Sequence, residues 1–143
     1  MLKIWTDGSC LGNPGNGGWA FVMTDGKQTA ERSGGSPNTT NNRMELMAVI
    51  SALSVIKNCK EIELHLDSRY VKDGIESWIK NWKKNNWKTA AKKPVLNQDL
   101  WKQLDELVQK FQINWVWVKG HADNDMNNRC DELARAAAES IAD

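Results

Sequence analysis

The segment Glu61-Ile62-Glu63-Leu64-His65-Leu66-Asp67 decides the fold of this chain. Its apolar residues alternate with polar ones, a pattern typical of a β-strand with one buried face. His65 belongs to the polar set and is interpreted as a solvent-facing residue. The preceding segment 41–57 is so rich in apolar residues that it predicts a helix buried on more than one side. A right-handed crossover through this helix places the strand beside the first strand of the chain and parallel to it.

The rest of the chain gives the element order β-β-β-α-β-α-α-β-α. Three short strands joined by turns predict an antiparallel meander, and the later strands, each reached through a helix, are predicted to be parallel. With 143 residues, the chain is expected to form a single α/β domain over residues 1–143. The other predicted strands cover residues 2–7, 19–24, 27–33 and 113–118, the predicted loops cover 8–18, 34–40, 83–93 and 120–126, and further helices are predicted to begin at Ser68, Asn97 and Asn127.

The composition is that of a globular protein, with 41% apolar and 26% charged residues. No run approaches the roughly 18 consecutive apolar residues that a membrane-spanning helix requires, and polar residues follow Met1 too soon for a signal peptide. The three cysteines include no C-x-x-C pair, so they predict neither a disulfide framework nor a cysteine zinc site. We therefore expect a soluble cytoplasmic protein.

Positive charge is concentrated in one segment. The whole chain has a net charge of +1, yet residues 69–93 contain eight basic and only two acidic residues. Trp78, Trp82 and Trp87 lie in the same segment. Lysines neutralise phosphates and aromatic rings stack on bases or sugars, so this segment is typical of a surface that binds a polyanion. The alternative is an amphipathic helix with its lysines in water and its tryptophans in the core.

Asp7 and Asp67 each follow a predicted strand directly. If the two strands are parallel neighbours, about 4.8 Å apart, the two carboxylates lie side by side at the edge of the sheet where α/β proteins keep their sites. Such carboxylates repel each other unless one is protonated or a cation lies between them. Oxygen ligands favour Mg²⁺ or Mn²⁺ over zinc. The alternatives are a turn for Asp7-Gly8 and a helix entry for Asp67-Ser68.

Three further residues have both a functional and an ordinary interpretation. Glu45 is either a site residue or the last residue of a capping box that starts at Asn42. Asp131 lies near the start of the last helix, where the helix dipole favours any acidic residue. His121 lies in a polar loop and is either a proton carrier or a surface histidine.

Taken together, five segments resemble the successive signatures of bacterial type 1 ribonuclease H. The resemblance covers almost the whole chain, in the order and at the spacing of that family. The segments are Thr6-Asp7-Gly8-Ser9-Cys10-Leu11-Gly12-Asn13-Pro14-Gly15, Thr39-Thr40-Asn41-Asn42-Arg43-Met44-Glu45-Leu46, Asp67-Ser68-Arg69-Tyr70-Val71, Trp115-Val116-Trp117-Val118-Lys119-Gly120-His121 and Arg129-Cys130-Asp131-Glu132-Leu133-Ala134.

The resemblance implies a ribonuclease H-like fold, in which a mixed five-stranded sheet has helices on both faces. It also implies hydrolysis of the RNA strand of RNA–DNA hybrids with two Mg²⁺ ions, leaving 5′-phosphate and 3′-hydroxyl ends, with Mn²⁺ as a substitute metal. By position, the metal-binding carboxylates are Asp7, Glu45, Asp67 and Asp131, and the proton-handling residue is His121.

The resemblance further implies how the substrate is bound. Only the RNA strand carries 2′-hydroxyls, which distinguish it from DNA. A basic protrusion at about residues 80–93 adds affinity without reading sequence. The implied contacts are Cys10, Gly12, Asn13, Asn41 and Asn42 to the RNA strand, Asn13, Thr40 and Asn41 to a DNA phosphate, Trp78, Asn97 and Trp101 along the DNA strand, and Lys83, Lys84, Trp87 and Lys88 in the protrusion.

Two segments depart from the family pattern. Arg69 replaces the usual glutamine, so a phosphate contact is the alternative to a minor-groove contact there. The loop 123–128 lacks the expected proline and glutamate, which affects the surroundings of His121. Two other functions remain open: a hybrid-binding module without turnover, and a nuclease of the same fold that acts on DNA. A monomer with no membrane association is expected.

Overall fold

The computed structural model describes residues 1–57, 59–89, 91–118 and 125–141. Within these residues the chain forms a five-stranded sheet in the order β3-β2-β1-β4-β5. β1 pairs antiparallel with β2 and parallel with β4, β2 pairs antiparallel with β3, and β4 pairs parallel with β5. The predicted meander and crossovers are thus confirmed. The strands are β1 (Leu2–Cys10), β2 (Gly15–Thr24), β3 (Thr29–Thr39), β4 (Glu61–Leu66) and β5 (Gln112–Trp117).

The meander is longer than predicted. β1 continues to Cys10, β2 begins at Gly15 and β3 reaches Thr39, so most of the predicted loops 8–18 and 34–40 are strand. The glycines there mark close packing instead of a loop. A Cβ on Gly18 would collide with the Ala134 carbonyl oxygen of the last helix.

The helices begin within two residues of the predicted starts, but the end of the first helix differs from the prediction. The first helix is three residues shorter than the predicted 41–57, and the last helix starts inside the predicted loop 120–126. Between α2 and α3 the chain forms one π-helical segment, Gly74–Trp78, where a Cβ on Gly74 would clash with the Trp101 indole. The helices are α1 (Asn41–Ser54), α2 (Arg69–Asp73), α3 (Ile79–Lys84), α4 (Gln98–Val108) and α5 (Asp125–Glu139).

Apolar side chains cover both faces of the sheet. On one face, the α1 and α4 side chains form a large core, in which Leu46 and Trp101 are fully buried. On the other face α5 packs on β1 and β2, around Trp5 and Cys130. Helices therefore lie on both faces, as the resemblance implied. No helix in the described ranges is long and apolar enough to cross a membrane.

The solvent-facing interpretation of His65 is wrong. Trp5 is its register partner on β1, and the two rings stack at 4.9 Å between centroids. His65 Nε2 also lies 2.9 Å from a carboxylate oxygen of Glu63. The alternation correctly puts His65 on the other face of β4 from Ile62, Leu64 and Leu66. It does not show that Trp5 of the neighbouring strand shields His65 from solvent.

Candidate metal centre and nucleic-acid interface

Three carboxylates from separate elements converge at one edge of the sheet. Asp7 lies in β1, Glu45 in α1, and Asp67 directly after β4. One oxygen from each lies within 4.8 Å of the others. The parallel pairing of β1 with β4 ends at Trp5 and His65, so Asp7 and Asp67 occupy equivalent positions beyond the last pair. The crossover argument thus correctly predicts that these two carboxylates are neighbours.

Glu45 faces the sheet instead of capping its own helix. Its Oε1 accepts a hydrogen bond of 2.6 Å from the Gly8 backbone N–H. The helix is capped by Thr40, whose hydroxyl oxygen accepts from the Arg43 backbone N–H at 3.3 Å. The capping box that starts at Asn42 is therefore wrong, since the cap lies two residues earlier. A glycine at position 8 is required because a Cβ there would collide with the α1 backbone.

The three carboxylates make the site strongly electronegative. Burial raises the pKa of Glu45 well above its ordinary value, and the negative charge of Asp7, a hydrogen bond to Asp7 and the charge of Asp67 raise it further. The Gly8 N–H opposes this shift. All three ligand atoms are carboxylate oxygens, the donors that Mg²⁺ and Mn²⁺ prefer. The residues present therefore fit a hard divalent cation.

A cavity of about 490 Å³ opens over these carboxylates. Asn41 and Asn42, from the first turn of α1, also line it. Arg69, the first residue of α2, is exposed and is the only basic residue among the described lining residues. Arg69 is a cation at the edge of this acidic cavity. A phosphate, which is charged, is therefore a better ligand for it than a neutral nucleic-acid base.

Asp131 lines the same cavity but does not belong to the close group of three carboxylates. Its carboxylate forms an ion pair with Arg135, one turn later in α5. The structure thus brings together three of the four predicted metal-binding carboxylates and places the fourth at the wall of the cavity. His121, the predicted proton carrier, lies outside the described residues.

Two contacts fix the start of α5, and with it Asp131, against the sheet. The Cys130 thiol donates to the Trp5 carbonyl oxygen at 3.2 Å. Burial, followed by the charge of Asp7, raises the pKa of this thiol to about 12, so it remains a protonated donor at neutral pH. Arg129 binds both carboxylate oxygens of Glu31 on β3, through Nε at 2.7 Å and Nη2 at 3.1 Å.

The loop 11–14, which joins β1 to β2, folds back onto the start of α1. The Cys10 sulfur lies within hydrogen-bond distance of the carbonyl oxygens of Gly12 and Thr39, to either of which its one hydrogen can be donated. Asn13 Oδ1 accepts from the Asn41 backbone N–H at 3.3 Å. These contacts place Cys10 and Asn13 against Thr39 and Asn41, next to the cavity that Asn41 and Asn42 line.

Tryptophans and one tyrosine form a continuous aromatic cluster beside the cavity. Tyr70 contacts Trp78 and Trp101, with ring centroids 5.6 and 5.4 Å apart, and Trp82 links Trp78 to Trp87. The structure corrects the prediction for Trp101. Its ring is fully buried, so Trp101 supports the surface from below and does not present a face to a nucleic acid.

Asn97 precedes α4 at the predicted cap position, but its side chain does not cap the helix. Its backbone is left-handed, with φ of 60°, and its side chain makes no capping hydrogen bond. Instead its amide accepts from Arg43 and donates to the Tyr70 hydroxyl. Sequence reasoning did not assign Arg43 or Tyr70 to the site, although both lie within motifs quoted for the resemblance.

The basic protrusion extends from the end of α3. Lys83, Lys84 and Lys88 are exposed, and an isolated antiparallel bridge between Lys88 and Pro94 closes the segment. Lys83 also forms an ion pair of 3.2 Å with Asp105. Trp87 is half-buried, with Lys102 Nζ 5.6 Å from its ring centroid. The helix ends at Lys84, so the amphipathic-helix alternative does not account for the lysines beyond it.

Comparisons with known proteins agree with this geometry. A family model described as RNase H matches residues 1–139. A ribonuclease H of Nitrobacter hamburgensis is 55% identical over 134 residues, which is 94% of this chain and 89% of that protein. A ribonuclease H of Hyphomonas neptunium is 52% identical over 141 residues, 99% of this chain and 94% of that protein.

Solved structures show the same fold. The crystal structure of LC9-RNase H1, a type 1 RNase H with the type 2 active-site motif, superposes with a TM-score of 0.85 at 31% identity. The alignment covers 99% of this chain and 73% of that one. RNase H1 from the halophilic archaeon Halobacterium salinarum gives a TM-score of 0.71 at 25% identity, with 98% of each chain covered. The chain belongs to the RNase H family of ribonucleases.

Proposed function

We propose that this protein is an endonuclease that hydrolyses the RNA strand of RNA–DNA hybrids and leaves 5′-phosphate and 3′-hydroxyl ends. The observation that supports this proposal most is the convergence of Asp7, Glu45 and Asp67 in an open cavity. A phosphodiester is anionic and has a poor leaving group, so its hydrolysis needs charge neutralisation and an activated water. Three carboxylates that repel one another are suited to recruit the cations that provide both.

Asp7, Glu45 and Asp67 would hold Mg²⁺, with Mn²⁺ as a substitute, and Asp131 would join them at a second ion. When bound, these ions supply Lewis-acid activation of the attacking water and stabilisation of the departing 3′ oxygen. Glu45 keeps its position through the Gly8 N–H, and Arg135, which pairs with Asp131, would compete with the ion for that carboxylate. His121 is proposed to carry a proton to or from the reacting groups.

Asn41 and Asn42 line the cavity, and the loop containing Cys10, Gly12 and Asn13 lies beside them. We propose that this side reads the 2′-hydroxyls of the RNA strand, because these groups donate and accept hydrogen bonds that DNA cannot offer. Thr40 and Asn13 are proposed to hold a phosphate of the DNA strand. Arg69 is proposed to bind a phosphate at the edge of the cavity.

The DNA strand is proposed to run along Trp78 and Asn97 towards the protrusion, where exposed lysines neutralise phosphates. If about four lysines do so, raising salt from about 50 to 200 mM weakens binding roughly a hundredfold. We also propose that the protein acts as a monomer in the cytoplasm. The three converging carboxylates all come from one chain, and three free cysteines suit a reducing compartment.

The deciding experiment compares three labelled duplexes of one sequence: an RNA–DNA hybrid, duplex DNA and duplex RNA. With Mg²⁺, only the RNA strand of the hybrid is expected to be cut, and EDTA is expected to stop the reaction. Salt-sensitive binding without cleavage in Mg²⁺ or Mn²⁺ would indicate a binding module. Cleavage of duplex DNA would favour a DNA nuclease of the same fold and overturn the proposed selectivity.

A further inference from the structure

A chain of side-chain hydrogen bonds links α1, α2 and α4 beside the cavity. Arg43 Nη1 donates to Asn97 Oδ1 at 3.1 Å and to Asp99 Oδ1 at 3.0 Å, while its Nη2 donates to Asp99 Oδ2 at 2.8 Å. Asn97 Nδ2 and Trp101 Nε1 each approach the Tyr70 hydroxyl oxygen at 3.0 Å. Tyr70 itself lines the cavity that contains the carboxylates.

The chemistry of these groups fixes the direction of every bond in this chain. A guanidinium only donates, so the side of the Asn97 amide that faces Arg43 must be its oxygen. The Asn97 NH₂ group then faces Tyr70 and must donate to it. An indole N–H also only donates. The Tyr70 hydroxyl oxygen therefore accepts two hydrogen bonds, which occupy both of its lone pairs.

This arrangement leaves the hydroxyl hydrogen of Tyr70 available to a ligand. Both hydrogen bonds that the structure gives this hydroxyl within the described residues are accepted ones, and it donates none there. The ring cannot easily turn away, because Trp78 and Trp101 pack against it and both hydrogen-bond donors hold its oxygen. The result is a preorganised, neutral donor at the wall of a cavity that is otherwise rich in carboxylate acceptors.

We propose that the Tyr70 hydroxyl donates a hydrogen bond to a phosphate oxygen of the bound hybrid, and that Arg43 and Asn97 are positioning residues that impose this polarity. The proposal rests on the proposed function, because it needs a nucleic acid in the cavity. A phosphate oxygen is the favoured acceptor because it is charged and occurs at every nucleotide whatever the sequence.

The test measures binding of the full chain to a fluorescent hybrid in EDTA, where nothing is cut. Tyr70→Phe is expected to bind about tenfold more weakly than the unmodified protein, the loss typical of a hydrogen bond to a charged group. The phosphates of one whole strand are then replaced by methylphosphonate, in the RNA strand of one hybrid and in the DNA strand of another. On one of these two hybrids the Tyr70→Phe penalty should vanish, and its substituted strand carries the partner. A penalty that is the same on both substituted hybrids, or no penalty at all, overturns the proposal.

A spectroscopic readout separates a ligand contact from a purely structural role. Tyr70 is the only tyrosine in the chain, so labelling tyrosine with ¹³C at Cζ gives one NMR signal that reports on the hydroxyl. Saturating hybrid should shift this signal. In Asn97→Asp the carboxylate captures the hydroxyl hydrogen, and the shift on saturation should be lost. An unmoved signal in the unmodified protein contradicts the proposal, whereas failure of that protein to bind or cut any hybrid contradicts the proposed function instead.

Discussion

Replacing Asp7 by asparagine is expected to stabilise the metal-free protein while nearly abolishing turnover. The carboxylate oxygens of Asp7, Glu45 and Asp67 lie within 4.8 Å of one another. At that separation and an effective dielectric constant of about 20, two full charges repel by about 3.5 kcal/mol. Part of this repulsion is offset, because burial and the charge of Asp7 raise the pKa of Glu45 and so make its protonation easier. We therefore expect a gain of about 2 kcal/mol.

For a chain of 143 residues, a gain of about 2 kcal/mol corresponds to a rise in Tm of about 6 to 7 °C. The assay is thermal unfolding monitored by circular dichroism, first in EDTA and then with Mg²⁺. Mg²⁺ should raise the Tm of the unmodified protein more than that of Asp7→Asn, since the variant has lost a ligand. Glu106→Gln removes an exposed carboxylate of α4 and serves as a control for the change in net charge. A Tm in EDTA that falls in Asp7→Asn, or that rises equally in Glu106→Gln, would refute the reasoning.

Three further substitutions test the surroundings of the site. Gly8→Ala should lower stability by about 2 kcal/mol or more and reduce activity at least tenfold, since its Cβ collides with the α1 backbone; an unchanged Tm would show that the helix can move away. Arg135→Leu releases Asp131 and should tighten Mg²⁺ binding a few-fold in calorimetric titration, whereas an unchanged affinity would argue against Asp131 as a ligand. Glu31→Gln should lower Tm at neutral pH. Because Arg129 lowers the pKa of Glu31, that contribution exists above the ordinary value of about 4.5 and is lost as the pH falls, so the difference between variant and unmodified protein should shrink in acid.

The sheet was largely predictable because hydrophobic alternation and crossover handedness are local or nearly local properties. The alternation around Leu64 located β4 correctly, and the helix before it fixed the parallel pairing with β1. The strand ends were not predictable from propensity. Gly17 and Gly18 favour a loop in isolation, but in the sheet both pair with β3, and Gly18 allows α5 to approach. Tertiary packing decides such positions, and a single sequence does not display it.

The candidate site was predictable where register alone determines it. Asp7 and Asp67 required only two parallel strands whose pairing stops two residues before each of them, at Trp5 and His65. Glu45 was ambiguous, because its capping-box alternative depends on which residue caps the helix, and Thr40 proved to be that residue. The proposed role of Tyr70 could not be read from the sequence at all. It follows from donors supplied by residues 27 and 31 positions further along the chain.

The glycine contact between β2 and α5 reaches the helix that carries Asp131. A Cβ on Gly18 would collide with the Ala134 carbonyl oxygen, three residues after Asp131 in α5. Gly18 therefore limits how closely α5, and with it the Asp131 carboxylate, approaches the sheet. If Asp131 is a metal ligand as proposed, side-chain volume at position 18 tunes cation affinity while the acidic residues themselves stay constant.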